Sequence, residues 1–343
     1  MEVTKLISDI YELVGPRQMV VRQETIDLNR LGPGEVAART IVSVVSPGTE
    51  LAAYVGAPPL RSMKVYPRVN GYCNIAEVVA VGAGVEGVRA GDRISTHQSH
   101  RSAFCCDAGR INAVLTPHDD AVAQATLYLW HLGYYPLLRG GAHAGHNVAV
   151  VGLGTLGLTA VAMSKLAGCN VLAFSERAGA CKKAIEFGAD LALPKAHMAM
   201  LQEKLPEVTN GVGVDLVIST SNSWEDWEFA LQIVRDGGAI AVLGFPGRGL
   251  GPPRFNPLGS QYLYDKELTI ISCGNPPACE IAPRDLRFTL KRNYSYLSGI
   301  IRQQRIPANA IVTDVVDWAE LKDVYRRMEQ REDGLLTVAL KWT

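Results

Sequence analysis

Short runs of β-branched and apolar residues dominate the first third of the chain. Between residues 17 and 115 they are separated by turn residues, as in LGPGE (31–35) and GAGVEGVRAGDR (82–93). Short strands bounded by Gly, Pro and Asp are typical of an all-β unit. Within this part, SPGTEL (46–51) reads as the end of a strand followed by a turn. Residues 122–139 are then apolar without strict alternation, which predicts a buried helix.

The pattern changes at residue 148. Short, fully apolar runs such as VAVVG (148–152) and AIAVLGF (239–245) alternate with helix-like segments as far as residue 273. Strands without a polar face are buried on both sides, and their alternation with helices predicts βαβ units in a parallel sheet. The remaining residues suggest helices and strands of a short α+β tail. The order along the chain is therefore β-rich, then α/β, then α+β.

A glycine-rich stretch, VVGLGTLG (150–157), lies between an apolar strand and a helix-like segment. In this context Gly152 would make the tight turn, Gly154 would let the backbone approach a pyrophosphate, and Gly157 would let the helix pack close to the strand. The N-terminus of the helix offers N–H groups and a partial positive charge to the phosphates. The stretch predicts a dinucleotide-binding site.

The residues after the next apolar strand bear on which dinucleotide is bound. A site for NAD(H) ends this strand in an acid that binds the ribose hydroxyls, whereas VLAFS (171–175) ends in Ser175. A small hydroxyl followed by Arg177 suits the 2′-phosphate of NADP(H). Glu176 would serve as the acid if the strand ended one residue later, so NAD(H) stays open. The sequence favours NADP(H).

Composition argues against several classes of partner. The chain has 34 basic and 34 acidic residues, so no overall field favours nucleic acid or an anionic membrane. Seven cysteines without a Cys-x-x-Cys pair indicate reduced thiols and a cytoplasmic protein. The N-terminus carries acids and no long apolar core, so we expect no signal peptide. Glycines interrupt the longest uncharged run, within 147–164, so we expect no membrane span.

Several stretches together resemble the medium-chain dehydrogenase/reductase superfamily. They are SPGTEL (46–51), YPRVNGYCNIAEVVAVGAGVEGVRAGDRI (66–94), VAVVGLGTLGLTAV (148–161), AIEFGAD (184–190), GVDLVIST (213–220), GGAIAVLG (237–244) and GLLTVALKW (334–342). The resemblance implies an α/β fold with two domains: a GroES-like β-rich catalytic domain, residues 1–125 completed by 274–343, and a Rossmann domain with a doubly wound parallel sheet, residues 126–273. It also implies that the cofactor site includes Thr155, Leu156, Thr220 and Gly244.

The chain departs from the zinc-dependent members of that superfamily at two ligand positions. Pro47 stands where those enzymes have the cysteine of Cys-Gly-Thr-Asp, and Tyr72 stands where they have the histidine of Gly-His-Glu. A catalytic zinc needs three protein ligands and an open position. We therefore expect a zinc-independent protein with no metal-binding residues. A metal site built in another way, which no spacing supports, would draw on Glu50, Cys73, His97 and His100.

The resemblance implies hydride transfer between a nicotinamide ring and a carbon of a small-molecule substrate. Without zinc, the substrate oxygen needs another donor or acceptor. Thr49 stands where the superfamily has its proton-relay hydroxyl, and it is the first candidate. His100 is the second, because an imidazole titrates near neutral pH. Tyr72 could donate a phenol hydrogen bond, and Glu50 completes the set of candidate catalytic residues.

Three functions follow from these features. The first is a zinc-independent, NADP(H)-dependent oxidoreductase that interconverts a secondary alcohol and a ketone on a polar biosynthetic intermediate. The alternative is an NADPH-dependent reductase of activated C=C bonds, like the quinone and enoyl reductases. A non-catalytic protein of the lens-crystallin type fits least well, because the glycine loop and the Thr49–Glu50 pair are both intact.

The apolar run ELTIISC (267–273) ends the predicted parallel sheet. An unpaired apolar edge is a liability unless another chain or element covers it. Members of the superfamily commonly join these edges. We therefore expect a homodimer or a homotetramer.

Overall fold

A computed structural model describes residues 4–60, 65–195, 198–274 and 289–342, with the backbone alone for 198–202. The chain divides into two compact units. Unit 1 comprises Met1–Tyr128, Asn293–Gln304 and Ala308–Thr343, and unit 2 comprises Leu129–Arg292 and Arg305–Pro307. The predicted domain limit at residue 274 adjoins residues 275–288, which lie outside the described residues, so the limit stays a prediction.

The strands and helices follow one another along the chain with short connections. The strands are β1 (Lys5–Gly15), β2 (Gln18–Asp27), β3 (Glu35–Val44), β4 (Arg68–Val69), β5 (Asn74–Val81), β6 (Arg93–Thr96), β7 (Ala103–Asp107), β8 (Ile111–Leu115), β9 (Asn147–Val151), β10 (Asn170–Ser175), β11 (Leu191–Pro194), β12 (Val214–Ser219), β13 (Val234–Val242), β14 (Thr269–Ser272), β15 (Val312–Asp317) and β16 (Thr337–Lys341). The helices are α1 (Pro47–Val55), α2 (Ala121–Ala125), α3 (Leu127–Gly140), α4 (Thr155–Leu166), α5 (Ala178–Glu186), α6 (Met198–Val208), α7 (Trp224–Ile233), α8 (Ser260–Leu263), α9 (Leu290–Arg302) and α10 (Leu321–Glu329).

Unit 1 is built on a seven-stranded sheet in the order β15-β16-β3-β5-β6-β8, with β7 also paired to β3. Its pairs are antiparallel except for the parallel pair of β15 and β16. A second sheet of three strands has the order β2-β1-β4. Along β1 the side chains of Leu6, Ser8 and Ile10 are buried while Lys5 and Ile7 are exposed, which is the period of two that a half-buried strand shows. The β-rich first third agrees with the prediction.

Helices α1 and α10 pack together on one apolar core of unit 1. The rings of Tyr54 and Tyr325 lie 5.1 Å apart at this contact. The indoles of Trp318 and Trp342 stack beside them with centroids 5.1 Å apart. This packing fixes the position of α1, whose first turn contains SPGTEL.

The structure differs from the prediction at SPGTEL, which starts a helix. Pro47 is the first residue of α1, and Ser46 is the N-cap. Proline is well suited to this position, because its missing N–H would have no partner inside the helix and its φ is already helical. Proline and glycine mark turns as well as helix starts, so the stretch alone favours a turn. The helix-forming residues AAY that follow allow the helix to continue.

Unit 2 is built on a six-stranded parallel sheet in the order β11-β10-β9-β12-β13-β14. Every residue of β9 is buried, as expected for a strand covered on both faces. The strand order reverses between β9 and β12. In open α/β sheets ligands bind at such a reversal, beyond the carboxyl ends of the strands.

Within the described ranges, none of the helices combines the length and the apolar character needed to span a membrane.

A partly buried ion pair joins the segment before α2 to α9 in unit 1. Arg302 donates from Nε to Asp119 Oδ1 at 2.7 Å and from Nη2 to Oδ2 at 2.9 Å. The Arg302 guanidinium is the main reason that the pKa of Asp119 falls to about 2. Because this pKa is lower in the folded chain than in the unfolded one, the pair stabilises the fold above about pH 4, and that stabilisation is lost as the pH falls toward about 2.

Asp119→Asn should therefore lower the free energy of unfolding at pH 7 by about 1–2 kcal/mol, a figure reduced because Arg302 is nearly half exposed. The difference from wild type should shrink as the pH falls below about 4. Urea unfolding at a series of pH values measures it, with the exposed Asp333→Asn as the control. A difference that does not depend on pH would contradict the role of the ion pair.

Candidate active site

The glycine loop of unit 2 joins β9 to α4. Gly152 has a φ of 95°, in the left-handed region that favours glycine. A Cβ on Gly157 would lie 1.9 Å from the carbonyl oxygen of Gly152, so α4 can start this close to the loop only with glycine there. Apart from its two neighbours in the chain, no described residue has an atom within 4 Å of the Cβ position of Gly154. The backbone at Gly154 is therefore open to a ligand.

The other residues predicted for the cofactor site surround this loop. Thr155 and Leu156 form the first turn of α4, whose N-cap Gly154 has no capping side chain. Thr220, just after β12, donates from Oγ1 to the carbonyl oxygen of Gly152 at 2.7 Å. Gly244 approaches the same segment so closely that its Cβ would lie 2.4 Å from the carbonyl oxygen of Ser221.

Strand β10 ends at Ser175, the residue at which the sequence predicted its end. Ser175 is the last residue of the strand and pairs with Pro194, and its Oγ accepts from the N–H of Arg177 at 3.3 Å. Arg177 is exposed at the start of α5 and forms no ion pair within the described ranges. The Glu176 carboxylate lies 3.3 Å from Lys195 Nζ. A small hydroxyl and an uncommitted guanidinium thus stand at the end of this strand.

In unit 1 the carboxylate of Glu50 lies at the centre of a buried polar cluster. Only 1% of the residue is exposed. Its Oε1 accepts from the N–H of Ser46 at 2.7 Å. Its Oε2 accepts from the Tyr325 hydroxyl at 2.6 Å and lies 2.8 Å from His100 Nε2.

His100 is fully buried beside Glu50. Its Nδ1 lies 2.8 Å from Ser43 Oγ, and Ser43 Oγ accepts from Trp342 Nε1 at 2.9 Å. The structure therefore brings the predicted residues Glu50 and His100 into direct contact. Sequence reasoning missed Ser43, Tyr325 and Trp342, because no local pattern connects residues so far apart in the chain.

Tyr72 and Thr49 meet at the edge of this cluster, and both are half-buried. The Tyr72 hydroxyl donates to Ser46 Oγ, and Thr49 is close enough to the same phenol to influence its pKa. Burial raises the pKa of Tyr72 above its usual value, and Cys73 and Glu50 raise it further. Burial likewise raises the pKa of the Cys73 thiol, which suits an unreactive cysteine.

A set of four aromatic side chains extends from Tyr72. The Tyr72 ring packs edge-on against Tyr128 with centroids 5.1 Å apart, and Tyr128 packs against His97 with centroids 5.0 Å apart. The Nε2 of His97 lies 2.6 Å from the Tyr294 hydroxyl. Burial lowers the pKa of His97 to about 4, so its imidazole is neutral at pH 7. Tyr128 and Tyr294 had no distinguishing signal in the sequence.

Potential metal ligands do not converge. Among the residues that the structure describes, no three His, Cys, Asp or Glu side chains come close enough to hold a metal ion. Glu50 and His100 do meet, but as hydrogen-bonding partners in a buried cluster. Pro47 has no side-chain atom that can bind a metal, and the Tyr72 hydroxyl is engaged with Ser46. Zinc independence stays a prediction.

Comparison with known sequences gives matches over both units. Residues 155–279 match the family model described as zinc-binding dehydrogenase. An L-threonine 3-dehydrogenase from Pyrococcus furiosus is 27% identical over 65% of this chain and 72% of its own length. A sorbitol dehydrogenase from Bacillus subtilis is 24% identical over 93% of both chains.

The chain is thus similar in sequence to dehydrogenases. Each of these two relatives is a dehydrogenase, and the prediction of an oxidoreductase is confirmed at that level. The zinc-binding family model covers neither Pro47 nor Tyr72, so it does not test the positions on which the prediction of zinc independence rests.

Two solved structures show the same fold. An alcohol dehydrogenase from Escherichia coli CFT073 complexed with NADH has a TM-score of 0.78 and 17% identity, covering 98% of this chain and 99% of its own. A zinc-binding dehydrogenase from Sinorhizobium meliloti 1021 bound to NADP has a TM-score of 0.76 and 17% identity, with the same coverage. The predicted α/β fold is confirmed.

The variant Gly154→Ala tests ligand binding at the glycine loop without disturbing the fold. The variant should fold as wild type, because its Cβ meets no neighbour, but a dinucleotide should bind about tenfold more weakly or worse, because the methyl occupies the approach of the pyrophosphate. Gly179→Ala on α5, where a Cβ also meets nothing within 4 Å, should change neither property. Thermal unfolding and a fluorescence titration with NADPH check both. Unchanged affinity in Gly154→Ala would contradict this use of the loop.

Proposed function

We propose that the chain is a zinc-independent, NADP(H)-dependent oxidoreductase that interconverts a secondary alcohol and a ketone on a small polar molecule. The observation that carries the proposal is the open backbone of Gly154, beyond the carboxyl ends of a doubly wound parallel sheet. The relatives named for threonine and sorbitol support an alcohol as substrate, since both compounds carry secondary hydroxyl groups.

The residues around the glycine loop fit a dinucleotide. Backbone N–H groups of the loop and of the first turn of α4 would bind the pyrophosphate. Thr220 and Gly244 would hold the loop in shape, through the hydrogen bond to Gly152 and the close approach to Ser221. When bound, the cofactor supplies or takes the hydride.

The end of β10 supports NADP(H) over NAD(H). Ser175 leaves room for a phosphate, and the exposed Arg177 would pair with it. Glu176, the residue that would favour NAD(H), follows the end of the strand and is exposed, with Lys195, which also pairs with Asp226, 3.3 Å away.

The hydroxyl cluster of unit 1 supports alcohol chemistry without zinc. The hydroxyls of Tyr72 and Ser46 are hydrogen-bonded and Thr49 interacts with the same phenol, so these O–H groups can donate hydrogen bonds to a substrate oxygen. Thr49 is the first candidate for contact with that oxygen, and Tyr72 is its neighbour. These hydroxyls would stabilise the substrate oxygen by hydrogen bonds. In other dehydrogenases a zinc ion stabilises that oxygen as a Lewis acid.

The function is tested by following NADPH consumption with two panels, one of polar ketones and one of enones and quinones. We expect turnover of ketones and, in the reverse direction, of the matching secondary alcohols with NADP⁺. Turnover of enones alone would replace the proposal with reduction of activated C=C bonds. Binding of NADPH with no turnover of either panel would favour a non-catalytic protein.

Thr49→Val should lower kcat by about 100-fold or more, because the variant keeps the shape but removes the hydroxyl next to Tyr72. The affinity for NADPH should not change, since Thr49 lies in unit 1 and the glycine loop in unit 2. Thr49→Ser should retain much of the rate, and Thr25→Val, at an exposed position of β2, is the control. Full activity of Thr49→Val would remove this residue from the mechanism.

Arg177→Ala should weaken NADPH binding by about tenfold and leave NADH binding unchanged, because the guanidinium interacts with the 2′-phosphate that NADH lacks. Lys322→Ala on α10 removes a positive charge elsewhere and should change neither affinity. Isothermal titration with each dinucleotide measures the effect. An equal loss for both cofactors would contradict the assignment.

The chain should form a dimer through β14, or a tetramer that contains this dimer. Within the described residues β14 pairs with β13 alone, and Ile270 on it is 38% exposed. Light scattering after size-exclusion chromatography should give at least twice the mass of the chain, and Ile270→Lys should lower it. Ile7→Lys on β1 is the control at another exposed isoleucine. A wild-type protein with the mass of a single chain would contradict this prediction.

A further inference from the structure

Glu50 accepts hydrogen bonds from three separate elements of unit 1. The donors are the N–H of Ser46 at the start of α1, the hydroxyl of Tyr325 on α10, and the ring of His100 from the loop between β6 and β7. Asn70 Nδ2 lies 3.4 Å from the Tyr325 oxygen as a donor, so the proton of Tyr325 goes to Glu50. The carboxylate is therefore an acceptor only, as an ionised carboxylate is.

Trp342 sets the direction of the hydrogen bonds on the far side of His100. An indole nitrogen can only donate, and Trp342 Nε1 donates to Ser43 Oγ at 2.9 Å. Among the described residues, Nδ1 of His100, 2.8 Å away, is the one acceptor within reach of the Ser43 hydroxyl, so we direct the Ser43 proton to it. This leaves the ring proton of His100 on Nε2, directed at Glu50. His100 is fully buried, and both of its ring nitrogens have partners within the cluster, so none is left for a substrate.

Ser46 connects this buried chain to Tyr72. A serine at an N-cap usually accepts a hydrogen bond from the first turn of its helix, but the Ser46 hydroxyl makes no such bond. Glu50 instead holds both backbone groups of Ser46, accepting from its N–H at 2.7 Å and donating from its own N–H to the Ser46 carbonyl at 3.0 Å. The Ser46 hydroxyl is thereby left for Tyr72.

We propose that Glu50 and His100 are positioning residues that, with Ser43, Tyr325 and Trp342, fix Ser46 and through it the hydroxyl of Tyr72. Neither Glu50 nor His100 exchanges protons with the substrate. Tyr72 is the group that faces the reaction: when a substrate binds, its single phenol proton turns from Ser46 Oγ to the substrate oxygen, and the Ser46 hydroxyl donates to the phenol oxygen in its place. This last step rests on the proposed function, whereas the positioning of Tyr72 does not.

The electrostatics of the cluster favour the same role for Tyr72. Burial raises its pKa, and the negative charge of Glu50 acts in the same direction. A phenol in these surroundings keeps its proton through the neutral pH range and serves as a donor. Glu50 therefore acts on Tyr72 in two ways, by holding Ser46 in place and by opposing the loss of the phenol proton.

The test uses ¹⁹F NMR of the cofactor-free protein with its twelve tyrosines replaced by 3-fluorotyrosine. Loss of one resonance in Tyr72→Phe assigns Tyr72. In Glu50→Gln the Tyr72 resonance should shift at pH 7, because the variant removes the negative charge near the phenol and changes the contacts that hold Ser46. Tyr325→Phe, which removes one donor to Glu50 and keeps the ring, should shift the resonance in the same direction by a smaller amount.

Glu329→Gln is the matched control, because it makes the same substitution in α10, the helix of Tyr325, at a glutamate that pairs with Arg17 at the surface. It should leave the Tyr72 resonance unchanged. An unchanged Tyr72 resonance in folded Glu50→Gln would overturn the proposal, and Tyr325→Phe decides the question if Glu50→Gln does not fold.

The state of His100 gives a second, independent test. In ¹⁵N spectra of the wild-type protein at pH 7, Nε2 should be protonated and Nδ1 should not, with the resonances assigned through His100→Asn. A doubly protonated ring would contradict the direction of the hydrogen bonds that Trp342 sets. Neither experiment needs a cofactor or turnover, so a failed dehydrogenase assay would leave both results interpretable.

Discussion

The buried carboxylate of Glu50 is the interaction on which the architecture of unit 1 depends most. It connects the start of α1, the loop between β6 and β7, and α10, through Ser46, His100 and Tyr325. A carboxylate this far from water costs several kcal/mol unless its partners are in place. The three elements therefore stabilise one another, and removal of any one donor leaves part of the carboxylate unsatisfied.

This constraint determines which side chains remain for chemistry. Glu50 and His100 are occupied with each other and with their buried partners, so they offer the substrate no free group. The hydroxyls of Thr49 and Tyr72 lie at the less buried edge of the same cluster. In the proposed function, this buried scaffold with hydroxyl groups at its edge would provide the geometry at the substrate oxygen that a metal ion provides in other dehydrogenases. In unit 2, the contacts among Gly152, Gly157 and Thr220 hold the glycine loop in the conformation that would bind a dinucleotide.

The sequence predicts unit 2 better than it predicts the hydroxyl cluster. The glycine loop is a local signal, because each glycine is needed for the backbone conformation or the close packing at its own position. The apolar strands are also local signals, because an uninterrupted apolar run indicates a strand buried on both faces. The parallel sheet and the end of β10 at Ser175 follow from such signals. The helix that starts within SPGTEL could not be predicted from that stretch, because proline and glycine mark both turns and helix starts.

The partners of Glu50 could not be predicted from the sequence. Tyr325 is 275 residues away from Glu50 along the chain, and Trp342 is 299 residues away from Ser43. A tyrosine on the apolar face of an amphipathic helix and a tryptophan after an apolar strand are indistinguishable from ordinary core residues until the fold brings them to the site. Sequence reasoning thus identified Glu50 and His100 as candidates but not the buried hydrogen bonds that define their role.

The central claim is that hydroxyl groups, and not a zinc ion, serve the substrate oxygen in this protein. The most direct measurement is the zinc content per chain of a preparation that turns over substrate, made before and after dialysis against a strong chelator. We expect substoichiometric zinc in the active protein and a rate that the chelator does not change. One zinc per chain, with activity lost on chelation and restored by zinc, would contradict the claim.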